Sequence, residues 1–144
     1  MKWVSHFLSK AKDDGKESPV DAYFLIECKG LFSIALLKFN KGKREEFHTH
    51  AFDAMTWFLS GDLEEEDVSG ELYQYKRSWK PKKTLKGKDH RVKAYKDSWC
   101  LTVRGKWSDK WTEYNKDKDT TTVLTHGRKI VSTTKGYNNI FEVA

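Results

Sequence analysis

The chain has 144 residues, long enough to bury a core within a single domain. Aromatics make up 14% of it, with six tryptophans, which excludes a disordered chain, and the charged fraction of 33% leaves the core to few, bulky side chains. A net charge of +6 and a pI near 9.2 favour anionic partners, although acidic residues lie between the basic ones.

Trp3, Phe7 and Leu8 are spaced as one face of a short N-terminal helix that would close one end of a barrel. The apolar patch there, interrupted by Ser5 and His6, is too short for a signal peptide. No other run reaches membrane-spanning length, so the expectation is a soluble cytoplasmic protein with no membrane partner. Residues 12–19 are polar, with Gly15 and Pro19, and read as a loop. From there the pattern is β almost throughout. Strands are predicted over 22–28 and 31–39 with a turn at Lys29-Gly30, then over 47–50 and 54–59, ending at Ser60-Gly61-Asp62. The acidic run 64–67 reads as a solvated hairpin tip. Residues 71–79 continue as strand, and Pro81 argues against a central one. The basic stretch 76–88 reads as a solvated hairpin face, with nucleic-acid binding as its functional alternative. Residues 90–95 alternate, with His90, Val92 and Ala94 on one face; strands over 98–104 and 106–114 follow, then short ones on either side of Gly127. Many short strands with regular turns indicate a sandwich or closed barrel. The division expected is one domain over 1–144: helix and loop over 1–19, barrel over 20–134, C-terminal tail over 135–144. Cys28 and Cys100 are far apart, in no CxxC arrangement and among apolar residues, as buried free thiols would be.

The most informative feature is His48-Thr49-His50. On a strand, positions i and i+2 point the same way, so both imidazoles would enter one space, as a divalent metal requires. His90, at the head of a later strand, supplies a third. The plain alternative is a set of histidines at exposed strand edges. His6 and His126 are expected to be structural or exposed.

The stretch from Gly42 through His48-Thr49-His50 to Gly61 resembles the first motif of the cupin superfamily. The later His90-Arg91-Val92, and the run from Ser98-Trp99 to Arg104-Gly105, are similar to small bacterial and phage cupin-like proteins of poorly defined function. The resemblance covers roughly residues 23–111. It implies an all-β fold, a cupin-like double-stranded β-helix (jelly-roll) barrel, with His90 as the histidine of the second motif. It also implies that the homodimer is a plausible assembly, since such barrels pair through sheet edges. One departure is clear: the glutamate of the first motif falls near Ala54 or Met55 and is absent. Asp53 is either its replacement as fourth ligand or a cap on the turn after His50.

Three neutral imidazoles and a carboxylate suit Fe²⁺, Mn²⁺, Ni²⁺, Co²⁺ or Zn²⁺, and three histidines alone still hold Zn²⁺ or Fe²⁺ with open positions. Arg104 is either a clamp for a carboxylate or phosphate or a surface arginine, and Arg44 and Arg91 are weaker versions of the same idea. Trp57, Trp99, Trp107 and Trp111 are core residues first, with Trp57 and Trp99 taken as secondary substrate-binding candidates. The leading expectation is a metal-dependent enzyme, dioxygenase- or isomerase-like, acting on a small anionic molecule. Two other classes stand beside it: a non-catalytic ligand-binding module, and a phage-type or host-interaction protein that binds nucleotides or nucleic acid through its basic surface.

Overall fold

A computed structural model describes residues 4, 6–13, 18–43 and 46–141. Trp3 and Arg44 lie outside the described residues. Among the described residues the expected N-terminal helix is not seen. His6–Lys12 is strand β1, paired antiparallel with β2 (Val20–Cys28) from His6↔Glu27 to Lys12↔Asp21. A segment this short cannot sustain a helix in water, whereas the edge of β2 offers it a ready ladder.

The remaining elements are strands joined by turns. They are β3 (Phe32–Phe39), β4 (Gly42–Lys43), β5 (Phe47–His48), β6 (Ala54–Asp67), β7 (Leu72–Tyr75), β8 (Lys82–Thr84), β9 (His90–Arg104), β10 (Lys110–Asn115), β11 (Thr120–Thr125) and β12 (Lys129–Lys135). One 3₁₀ turn, His126–Arg128, interrupts them. No helix of the described residues is long and apolar enough to cross a membrane.

The spine is the antiparallel pair β6 and β9, in register from Ala54↔Arg104 to Asp67↔His90. Each serves two parts of the barrel. The far end of β9 pairs with β3, from Ser33↔Arg104 to Phe39↔Ser98, while its near end pairs with β4 and β5. β5 leads on through β10 and β11 to β12. A straight strand would separate His90 from Arg104 by about 46 Å. Both nevertheless line one cavity, so the pair is sharply bent.

Register shifts in β6 between Phe58 and Leu63 mark the bend. Gly61 sits at its centre with φ +107°, hard against Ser98. The Ser98 hydroxyl accepts from the Asp62 amide at 2.9 Å and donates to the Lys96 carbonyl at 2.8 Å, closing the corner.

Two apolar clusters fill the interior. Phe24, Leu37, Phe58, Leu63 and Cys100 pack between β2, β3, β6 and β9. Phe52, Trp111 and Leu124 pack at the other side, covered by Trp107 and Phe141. The described part of the segment after β12 packs on this side: Asn139 donates to the Gly87 carbonyl at 2.6 Å and Phe141 lies on Gly87. Both cysteines are buried and unpaired, and burial pushes the Cys100 thiol up to about 12.

Candidate metal centre

β5 and β9 run side by side so that His48 and His90 are register partners. His50 follows two positions after His48 and shares its face. Thr49 points the other way and is fully buried. Its hydroxyl accepts from the Thr112 amide at 2.8 Å and its own amide donates to the Thr112 carbonyl at 2.9 Å, which pins the segment to β10.

The three rings form a tight triangle. Centroids lie 4.9 Å apart for His48–His50, 4.9 Å for His48–His90 and 5.1 Å for His50–His90. One ring nitrogen from each falls within 4.8 Å of the others. His50 Nε2 and His90 Nε2 are 3.0 Å apart. That is the length of an N–H···N hydrogen bond. It is also the spacing of two imidazoles held at right angles on one ion, about 3.0 Å for metal–nitrogen bonds of about 2.1 Å. The donor set therefore fits a divalent transition ion.

A buried carboxylate stands behind the triangle. His90 donates from Nδ1 to Glu65 Oε2 at 2.6 Å, which leaves Nε2 as the ring nitrogen that faces His50. Glu65 also pairs with Lys82, and Lys88 Nζ lies 3.4 Å from its other oxygen. Burial pushes the Glu65 carboxyl up. Hydrogen bonding to His90, and the charges of His90 and Lys82, outweigh that and hold it well below the usual carboxylate range. Glu65 is thus no part of a solvated tip, being 2% exposed.

These groups open on a cavity of about 100 Å³. Apart from the histidines, the titratable wall among the described residues consists of Asp13, Glu65, Lys82 and Arg104, two of each sign. They are paired with each other: Lys82 with Glu65, and Arg104 Nη2 with Asp13 at 2.7 Å. Arg104 is no surface arginine. It is 2% exposed, with its guanidinium 4.7 Å from the Phe52 ring centroid.

The other expected site residues lie elsewhere. Asp53 is exposed and accepts from the Lys86 amide at 2.7 Å, a turn cap outside the histidine group. Trp57 and Trp99 do not line the cavity, and Trp99 stacks on Tyr23 on the outer face at 5.6 Å. Strand alternation explains both, since Ala54, Thr56, Cys100 and Thr102 take the inward positions beside them. Of Ala54 and Met55, the two positions near which the glutamate of the resembled motif would fall, Ala54 is in the cavity wall and Met55 is exposed. Of the other histidines, His6 stacks on Phe24 at 4.8 Å, and His126 lies 5.8 Å from Trp107.

A second buried carboxylate, Glu27, lies outside the triangle on the wall of a separate cavity of about 170 Å³. Burial raises its pKa, against the opposing charges of Lys29, Arg104 and His6. A raised folded-state value contributes stability below the ordinary glutamate range and loses it as pH rises through the folded value. Glu27→Gln is therefore expected to melt higher than the parent at pH 7, with the gain shrinking as pH falls toward about 4.3. Thermal melts at both pH values check this, and an equal gain at both would refute it.

No protein-family model and no curated protein matches this chain. Solved structures do. A sugar phosphate isomerase of the cupin superfamily from Silicibacter pomeroyi superposes with a TM-score of 0.60 at 14% identity, covering 89% of this chain and 88% of its own. An RmlC-like cupin from Shewanella frigidimarina gives 0.55 at 13% identity, over 72% of this chain and 94% of its own. Ectoine synthase from P. lautus gives 0.52 at 19% identity, over 66% and 70%. At these identities the likeness is one of fold: the chain has a cupin-like jelly-roll fold.

Proposed function

We propose that the chain is a metal-dependent enzyme, isomerase- or dioxygenase-like, that acts on a small anionic molecule. The observation that carries this is the convergence of His48, His50 and His90 on one point of a cavity wall. The bound ion, Fe²⁺, Mn²⁺, Ni²⁺ or Zn²⁺, would supply a Lewis acid with open positions. Glu65 orients His90 through Nδ1 and fixes its tautomer. Among the described residues the charged groups of the wall pair off, Lys82 with Glu65 and Arg104 with Asp13, and imidazoles ligate an ion as neutral donors. The loaded site therefore keeps the charge of the ion, which an anionic substrate complements. Arg104, buried, and Lys82, partly buried, bring cations to the same wall, while Val20, Leu37, Phe39 and Val92 keep part of it apolar.

Proteins sharing this fold include one named a sugar phosphate isomerase and one named ectoine synthase, so non-oxidative chemistry joins dioxygenation as a class to test. A second reading, a non-catalytic binding module, draws on Ala54, which leaves the centre without the motif carboxylate.

The test is metal analysis of the purified chain beside the His48→Ala/His50→Ala double variant. About one equivalent of transition metal in the parent, lost in the variant, is expected. Oxygen uptake with candidate acids then separates the two reaction classes. A parent that binds no ion after reconstitution with each of the four metals would rule out the enzyme reading and leave the binding module.

A further inference from the structure

Trp79 is 87% exposed, on the loop between β7 and β8. An indole left in water forgoes about 2–3 kcal/mol of burial, so one held out on an ordered loop calls for a partner. The loop is ordered by its own bonds: the Ser78 amide donates to the Phe58 carbonyl at 3.0 Å, and the Lys80 amide to the Ser78 hydroxyl at 3.2 Å. Pro81 stiffens the exit.

The surroundings of Trp79 are cationic. Residues 72–88 contain seven Lys and Arg and no Asp or Glu. Lys82 and Lys88 turn toward Glu65, but Lys76, Arg77, Lys80, Lys83 and Lys86 are exposed. Further acidic contacts to this stretch are Asp53 on the Lys86 amide, Glu64 on the Gln74 side chain and Glu71 on the Tyr73 hydroxyl, none of them on Lys76, Arg77, Lys80 or Lys83. The Arg77 guanidinium lies 6.0 Å from the Trp79 ring centroid. Tyr73, a second exposed ring on β7, has Lys88 Nζ 5.5 Å from its centroid.

We propose that this loop is a binding surface for single-stranded nucleic acid, with a base stacked on Trp79 and the exposed cations on the flanking phosphates. Aromatic rings alternating with cations match a chain that alternates bases with phosphates. An anionic membrane fits less well. Arg77 and Lys80 flank Trp79 closely, and the nearest exposed leucines, Leu72 and Leu85, are distant in sequence, so inserting the indole would drag cations toward hydrocarbon.

The test is fluorescence anisotropy of a labelled oligothymidylate of about twelve nucleotides, titrated with the full chain at about 50 mM salt and above. Binding is expected, falling with salt at a log–log slope of about −0.7 per phosphate contacted. Trp79→Ala should weaken it at least about fivefold while leaving the melting temperature and metal content unchanged. A Lys80→Glu/Lys83→Glu variant should flatten the salt slope by about 1.4. Four results would overturn the proposal: no binding by the parent at the lower salt, equal binding by Trp79→Ala, a duplex of the same length bound as tightly as the single strand, or binding of equimolar phosphatidylserine–phosphatidylcholine vesicles without binding of the oligonucleotide.

Discussion

Glu65→Ala is expected to lower the free energy of unfolding by about 3–5 kcal/mol, since it removes one partner of a buried ion pair and leaves the other without compensation. The partners are specific. Lys82 is mostly buried against Glu65, and His90 Nδ1 loses its acceptor. Metal affinity should fall in the same variant by about 10–100-fold, because a histidine that no longer donates from Nδ1 is free to turn or to change tautomer. Glu65→Gln separates the two effects. Its amide oxygen still accepts from Nδ1, so affinity should recover further than stability, which depends on the charge opposite Lys82. Denaturant unfolding and a competitive metal titration on the three proteins give both quantities. An alanine variant as stable as the parent would show that the network contributes no net stabilisation.

Glu65 also marks where reading the sequence falls short. On β9 the period-2 pattern is legible from His90 to Arg104: the buried positions are the even ones throughout. On β6 the inward set begins with Ala54, Thr56 and Phe58, and unbroken alternation would then send Glu64 and Glu66 inward and Glu65 out. The register shifts around Gly61 reverse the parity, so that Leu63 and Glu65 face in. A bulge is invisible to composition, and an acidic run then reads as solvated. The same device acts on β2. The shift between Phe24 and Ile26 turns Glu27 inward after Ala22 and Phe24. The histidine triangle was legible because it needs only local geometry: His48 and His50 are an i, i+2 pair, and His90 opens a strand. The expected placements of Trp57 and Trp99 treated aromatic character as a sign of the pocket, although alternation with Ala54, Thr56, Cys100 and Thr102 already assigned those rings to the other face. The missing N-terminal helix rests on the same weakness, since a three-residue apolar spacing in so short a segment suits an edge strand equally well.

The bend that reverses this parity depends on one residue, and Gly61→Ala is expected to be the most damaging alanine substitution among the described glycines. Two costs combine. At φ +107° an L-residue is strained by about 1–3 kcal/mol. The added methyl would also stand 2.0 Å from Ser98 Oγ and 2.5 Å from Ser98 Cα, and overpacking adds about 1–3 kcal/mol. The Ser98 hydroxyl is not free to swing aside, because the Asp62 amide and the Lys96 carbonyl hold it. The sum, about 4 kcal/mol, is a large part of the stability of a domain this size and corresponds to a melting point lower by roughly 10–15 °C. Gly70→Ala is the control: its φ of +94° imposes similar strain, but nothing lies within 4 Å of the new methyl, so the loss should be about 1–3 kcal/mol. Adding Ser98→Gly to Gly61→Ala should restore little, since the Ser98 Cα itself is in the way. If melts of Gly61→Ala and Gly70→Ala coincide, the corner is looser than its contacts imply. Because the bend turns both Glu65 and the far end of β9 toward the histidines, Gly61→Ala protein that does fold should also bind metal more weakly, although residue 61 touches none of the ligands.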